Sequence, residues 1–278
     1  MSQPEHSSLG RPVDYPTRVD AGLLFPIERE RQRRALPATA TLPFHGADLW
    51  TAWELSWLDR RGKPQVAVAR IEVPALSPAI CESKSLKLYL NGYAFERFED
   101  AGEVQVRIET DLSALCGAAV RVELVAGDAI ETLQVGPLPG RSVDDLEIDA
   151  VSFEGPDPDL LGCLDEGGEP VEDALATRLF RSRCPVTGQP DWADVLVAWQ
   201  GPAIDPARLL RYLVSFREHQ GFHEHCVERI FMDVLDRCRP ARLTVLACFT
   251  RRGGIDIAPW RSNDPRHPRL PFSRTARA

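Results

Sequence analysis

The sequence predicts an α+β protein of two tandem modules, each an antiparallel sheet with a pair of helices packed on one face. Three observations carry this. Segments of alternating apolar residues and segments of helical spacing follow the same order in both halves of the 278 residues: two strands, two helices, then strand. A stretch rich in Pro, Gly and acidic residues, 155–170, lies between the halves, as expected where few core contacts cross. No GxGxxG follows a predicted strand, which removes the usual dinucleotide-binding fold. The repetition is one of architecture, because no fixed-period residue similarity links the halves.

Residues 1–20 are polar and proline-bearing, and are expected to form an arm. Strands are predicted from Leu49 to about Leu58 and from Gln65 to about Val73, with Asp-Arg-Arg-Gly-Lys-Pro between them as an antiparallel hairpin turn. Leu86, Leu90 and Tyr93 share one side of a first helix, and Val104, Ile108, Leu112 and Leu115 line a second that Gly117 stops. Val120, Val122 and Leu124 alternate with Arg121 and Glu123, and further strand-like stretches begin near Ile130 and Leu146. The second half gives strands near 173–183 and 193–200, helices near 205–219 and 223–237, and a strand from Leu243 to Phe249. The expected divisions are an arm over 1–20 and modules over 21–158 and 159–278.

A net charge of -8 argues against a broad phosphate-tracking surface, so no direct nucleic-acid contact is expected. No run approaches the roughly 20 apolar residues that span a bilayer, and MSQPEHSSLGRP has neither a basic start nor an apolar core for export. A cytoplasmic protein without membrane contact is expected. Seven cysteines at irregular positions, with no CxxC pair, suggest reduced thiols rather than a disulfide framework or a zinc ribbon.

Four clusters carry chemistry. In the first, Cys184 sits at a predicted strand end, and reversal through Thr187-Gly188 and Gln189-Pro190 can bring Asp191 back toward the thiol. Arg181 and Arg183 can favour thiolate, since a free thiol with a pKa of about 8.5 is only a few per cent ionised at pH 7. Against this, a lone cysteine is more often a packed small hydrophobe. The second cluster, Gly221 to Glu228, opens a helix. Its His223 and His225 are two apart and point to different sides, so no metal site is expected. Glu224 either accepts from an amidine-like edge, two carboxylate oxygens matching two donors, or is a solvated first-turn acid. The third cluster runs from Glu82 to Leu90 with Lys84 and Lys87 three apart, and the fourth is Arg251-Arg-Gly-Gly-Ile-Asp-Ile257. Either can hold a phosphate, and either alone also reads as a solvated basic face.

Together the clusters resemble the 7-cyano-7-deazaguanine reductases of queuosine biosynthesis, in their long form with tandem tunnelling-fold modules. The resemblance runs from about Leu23 to Ser262 on ESKSLKLYL, CPVTGQPDW, FHEHCVE and RGGIDIAPWRS, in the family's order. It implies NADPH-dependent reduction of a deazapurine nitrile to an aminomethyl group, with Cys184 as the thioimide-forming nucleophile and Asp191 as proton donor. It puts His223 and Glu224 at the substrate, with His223 also assisting proton transfer, and adds Cys81, Glu82 and Ser83 on the substrate side. NADPH contacts are implied for Ser83, Lys84, Lys87, Arg252 and Gly253. Ala258 stands where the family's last motif has Asn. A homodimer is the expected assembly.

If Cys184 attacks one end of a small base whose other edge is held by Glu224, the strand end and the helix start face each other across the ligand. Cys226 lies two residues beyond Glu224, so either a reversible Cys184–Cys226 disulfide shields the nucleophile or Cys226 simply packs in its helix. Two rival readings remain open: a zinc-dependent cyclohydrolase-like purine or pterin enzyme, and a purine-binding module whose cysteine is inert.

Overall fold

The computed structural model describes residues 15–37, 41–149, 152–165, 167–267, 270 and 274–278. The rest of the expected N-terminal arm lies outside the described residues. Two compact units share the chain in pieces. The first holds the described residues through Gln32, with Asp48–Gln134 and Arg251–Ile257; the second holds Arg33–Ala47, Val135–Thr250 and Ala258–Ala278.

In the first unit, β1 (Pro26–Glu28) leads into the short α1 (Arg29–Arg33), whose buried Arg29 pairs with buried Asp48 and donates to Ser77 at 3.1 Å. The expected hairpin is formed by β2 (His45–Leu58) and β3 (Pro64–Pro74). Asp59 closes its turn by accepting from the backbone N–H groups of Arg61 and Lys63, each at 2.9 Å. β4 (Ala79–Cys81) pairs antiparallel with β1 and hands the chain to α2 (Ser83–Gly92). α3 (Ala101–Cys116) starts at Asp100, whose carboxylate accepts from Glu103 N–H, and ends at Gly117 in the left-handed region at φ 66°. β5 (Arg121–Ala126) pairs antiparallel with β3, giving an order of β5, β3, β2 and then Ile255–Ile257. Leu86, Tyr89, Val104, Ile108 and Leu112 turn the helical faces onto Trp50, Trp57 and Ile71 of the sheet, with Leu115 partly buried beside them. Residues 15–20 lie against this core: Val19 is buried and donates to Glu96 at 2.6 Å, and Pro16 accepts from Asn91 at 2.9 Å.

The second unit repeats the order. A two-residue strand, β6 (Arg141–Ser142), runs parallel to β7 (Val171–Arg183), which pairs antiparallel with β8 (Pro190–Gly201). α4 (Pro206–Ser215) begins with Pro at its first position and Asp205 as its cap, and α5 (His223–Cys238) follows after a short turn. β9 (Arg242–Phe249) pairs with β8, and Ala258–Ser262 of β10 (Ile255–Ser262) lies beyond β9. Ala193, Val195, Val197 and Trp199 alternate along one buried face of β8, in a core that also contains Phe180, Tyr212, Phe216, Phe231 and Phe249.

Three expectations are corrected. The stretch near Ile130 is a 3₁₀ turn over Gly127–Thr132, because Gly127 takes φ 57° and the segment buries no residue. The stretch near Leu146 is not a strand, and Leu146 is exposed, so its apolar alternation has no core face to meet. The boundary expected over 155–170 is not one, since residues 155–165 belong to the second unit: Leu161 is buried, and Arg208 of α4 donates to the carbonyls of Asp159, Leu160 and Leu161 at 2.7–3.0 Å. The first long stretch of the second unit instead begins at Val135. No helix among the described residues is long and apolar enough to cross a membrane.

Candidate active site

Cys184 is the first residue after β7, and the turn that follows is fixed at both ends. Cys184 N–H donates to Gln189 at 2.8 Å and Gly188 N–H returns to Cys184 at 3.0 Å, with Gly188 at φ 68°. Thr187 N–H points at the Cys184 sulfur from 3.5 Å, and the residue is half-buried. The turn brings β8 back beside β7 so that Asp191 pairs with Ser182 in the ladder.

A second backbone connection joins this strand end to α5. Arg183 N–H donates to His219 at 2.8 Å, and Gly221 N–H donates to Arg183 at 3.1 Å, a short parallel bridge centred on Arg183 and Gln220. The chain therefore leaves β7 at Cys184 and enters α5 at His223 from one shared anchor. His223 Nε2 is 3.3 Å from Asp191 Oδ1, with Asp191 buried. The imidazole is stacked on Phe249 at the end of β9, centroids 3.8 Å apart and planes within 11°. Glu224, next along α5, is only 4% exposed, which removes the solvated first-turn reading.

Arg181 and Arg183, expected to favour thiolate at Cys184, both pair with Glu218, at 2.5 and 2.8 Å. Their charge is met by that carboxylate, which they hold below the usual carboxylate range. Phe249 and Glu218 were not singled out from the sequence; an aromatic closing a strand and an acid before a turn carry no distinguishing pattern. Cys226 is fully buried, which pushes its thiol up to about 12, and both it and Cys184 are free thiols.

The remaining expected residues belong to the first unit. Glu82 caps α2, its carboxylate accepting from Lys84 N–H at 2.7 Å and Ser85 N–H at 2.9 Å, and Ser83 Oγ lies 3.4 Å away. Beside it, Cys81 is buried, which raises its thiol far above the ordinary range. Arg252 and Ile255 exchange backbone hydrogen bonds at 2.9 and 3.2 Å across Gly253 and Gly254, at φ 54° and 76°. Two successive positive φ values make this a tight turn suited to glycine. The end of Lys87 occupies the space beside Gly253: a Cβ there would meet Nζ at 3.1 Å and Cε at 3.2 Å. A basic side chain laid on bare backbone fits a phosphate-bearing cofactor. The fourth motif is thus a turn followed by the unexpected strand β10, in which Ala258 is buried. No group of three or more His, Cys, Asp or Glu side chains that could hold a metal ion occurs among the described residues.

The family model described as "Nitrile reductase, 7-cyano-7-deazaguanine-reductase N-term" matches residues 15–124, and that described as "QueF-like protein" matches residues 190–268. Similar proteins include the NADPH-dependent 7-cyano-7-deazaguanine reductases of Burkholderia multivorans and Burkholderia cenocepacia. Each is 52% identical over 99% of this chain and 99% of its own. The reductase of that name from Burkholderia vietnamiensis is 52% identical over 94% of both chains. With both halves matched and end-to-end identity of this order, the chain belongs to the NADPH-dependent 7-cyano-7-deazaguanine reductase family.

Proposed function

We propose that this protein reduces the nitrile of 7-cyano-7-deazaguanine to the primary amine of 7-aminomethyl-7-deazaguanine with NADPH, a step of queuosine biosynthesis. The observation that carries the reading is the shared anchor at Arg183 and Gln220, from which Cys184, His223 and Glu224 diverge while Asp191 meets His223.

A nitrile carbon accepts hydride poorly while charge accumulates on an unassisted nitrogen, and covalent addition divides the step. The Cys184 sulfur forms a bond to the nitrile carbon as one π bond of the nitrile opens. Asp191, in its buried setting, gives the nitrogen its proton, leaving a thioimide on Cys184. His223 fixes the direction of Asp191 and relays protons to it. Glu224 accepts from the ring N–H and 2-amino group of the deazaguanine, presenting the far side of the base to Cys184. Ser83, Lys84, Lys87, Arg252 and Gly253 would hold the cofactor through its phosphates, and Glu82 keeps α2 in place beneath the lysines. When bound, NADPH supplies hydride, twice for each nitrile because four electrons separate it from the amine, and the Cys184 sulfur departs between the two additions. The substrate is a small free base, so no nucleic acid or membrane is engaged, and a homodimer is the assembly proposed.

The test is NADPH oxidation followed at 340 nm, with and without 7-cyano-7-deazaguanine. Substrate-dependent oxidation with two NADPH consumed per amine is expected; a folded protein that oxidises none overturns the reading.

A further inference from the structure

The turn at Gly253–Gly254 has a second cation beside it whose setting differs from that of Lys87. Arg251 is exposed, and its guanidinium carbon lies over the indole of Trp53, 5.7 Å from the ring centroid. Among the described residues it forms no ion pair. Trp53 is held at two points: its backbone N–H donates to Gly254 at 2.9 Å, and its indole N–H donates to buried Asp256. One residue of β2 thus ties together the turn, the strand that follows it and the arginine that precedes it.

We propose that Arg251 reads the 2′-phosphate that distinguishes NADPH from NADH, and that Trp53 is its positioning residue. The assignment rests on the cofactor reading above and goes beyond it by separating two phosphate sites. Lys87 lies against the bare backbone of Gly253, where a diphosphate can meet the ammonium beside the glycine turn, and that compact ammonium suits a charge shared over several oxygens. Arg251 is supported by an aromatic surface, an arrangement that satisfies the cation from one side and limits its search through rotamers. Its edge keeps a fork of N–H donors, which matches the terminal oxygens of a phosphomonoester better than a single ammonium does. Exposure at the mouth of the turn suits the outlying 2′-phosphate, and Trp53 sets the direction of the fork through its bonds to Gly254 and Asp256.

The experiment is calorimetric titration of the whole protein with adenosine 2′,5′-bisphosphate and, separately, adenosine 5′-monophosphate. The parent is expected to prefer the bisphosphate by tenfold or more. Arg251→Ala is expected to lose about ten- to a hundredfold in affinity for the bisphosphate while binding the monophosphate as the parent does. Trp53→Phe keeps an aromatic surface but loses the bond to Asp256, and is expected to give an intermediate preference. Arg252→Ala, acting through the diphosphate side, should weaken both probes alike. The proposal is overturned if Arg251→Ala keeps the parent's preference, or loses affinity for both probes by the same factor. A parent protein that binds neither probe overturns the cofactor reading itself, and this assignment with it.

Discussion

His223 Nε2 sits 3.3 Å from Asp191 Oδ1, which makes the first residue of α5 the partner of the second residue of β8. The ring cannot swing freely, because Phe249 lies flat against it. Asp191→Asn, which keeps the shape and removes the transferable proton, is expected to lower kcat by about 10²- to 10⁴-fold in the NADPH assay. Phe249→Leu is expected to lower kcat by roughly tenfold with little change in KM, as misplacement of a proton-handling group does. Parental kcat in Asp191→Asn would remove it as the proton donor.

Substrate added without NADPH is expected to raise the intact mass by one molecule of 7-cyano-7-deazaguanine, and Cys184→Ala is expected to show no gain. Iodoacetamide at pH 8 should mark Cys184 well before Cys226, since burial pushes the Cys226 thiol up to about 12. Mild peroxide followed by peptide mapping tests the proposed Cys184–Cys226 cross-link. A Cys226→Ser variant no more easily over-oxidised than the parent would deny it a protective role.

Glu224→Ala is expected to weaken binding of the base by about 30- to 150-fold, on the order of 2–3 kcal/mol for a charge-assisted pair. Glu224→Gln should also bind poorly, since its amide turns a donor toward a donor. Unchanged calorimetric affinity in both variants would exclude Glu224 as the anchor of the base.

Burial holds the imidazole of His225 down at about 4, against an ordinary 6.5, and lowers neighbouring His219 for the same reason. Below about pH 6.5 the unfolded chain takes up a proton that folded His225 refuses until about pH 4. Stability is therefore present above that window and lost as pH falls through it, by about 2 to 3 kcal/mol at pH 4.5. His225→Gln, which cannot take up that proton, is expected to show a smaller fall in unfolding free energy between pH 7.5 and 4.5 in urea titrations. An equal fall in both proteins would assign the acid sensitivity elsewhere.

Much of the fold was legible because its signals are local. The α3 face at Val104, Ile108 and Leu112, the stop at Gly117 and the alternation along β7 and β8 follow from spacing alone. The strand-like stretch at Ile130 misled because alternation says nothing about whether a core face awaits it, and Gly127 turns the chain first. β10 was hidden for a related reason: all its residues are buried, so no alternation with exposed positions marks it, and Arg261 reads as surface charge. In fact Arg261 is fully buried against Glu228 at 2.8 Å. At the candidate site, motif and turn chemistry pointed to Cys184, Asp191 and His223, of which Asp191 and His223 meet in the structure. The sequence did not reveal that Glu218 takes up both nearby arginines or that Phe249 steadies His223, since each contact joins residues more than 25 positions apart.

The chain passes between its two compact units five times, and the last passage divides β10 itself between Ile257 and Ala258. No single cut can therefore separate one unit from the other. A fragment ending at Gln134 would carry Arg33–Ala47 without the rest of its unit and would lack Arg251–Ile257 altogether. The protein is two halves in pattern and one piece in inheritance: a gene fission after Gln134 would give fragments that must find each other again to complete either half.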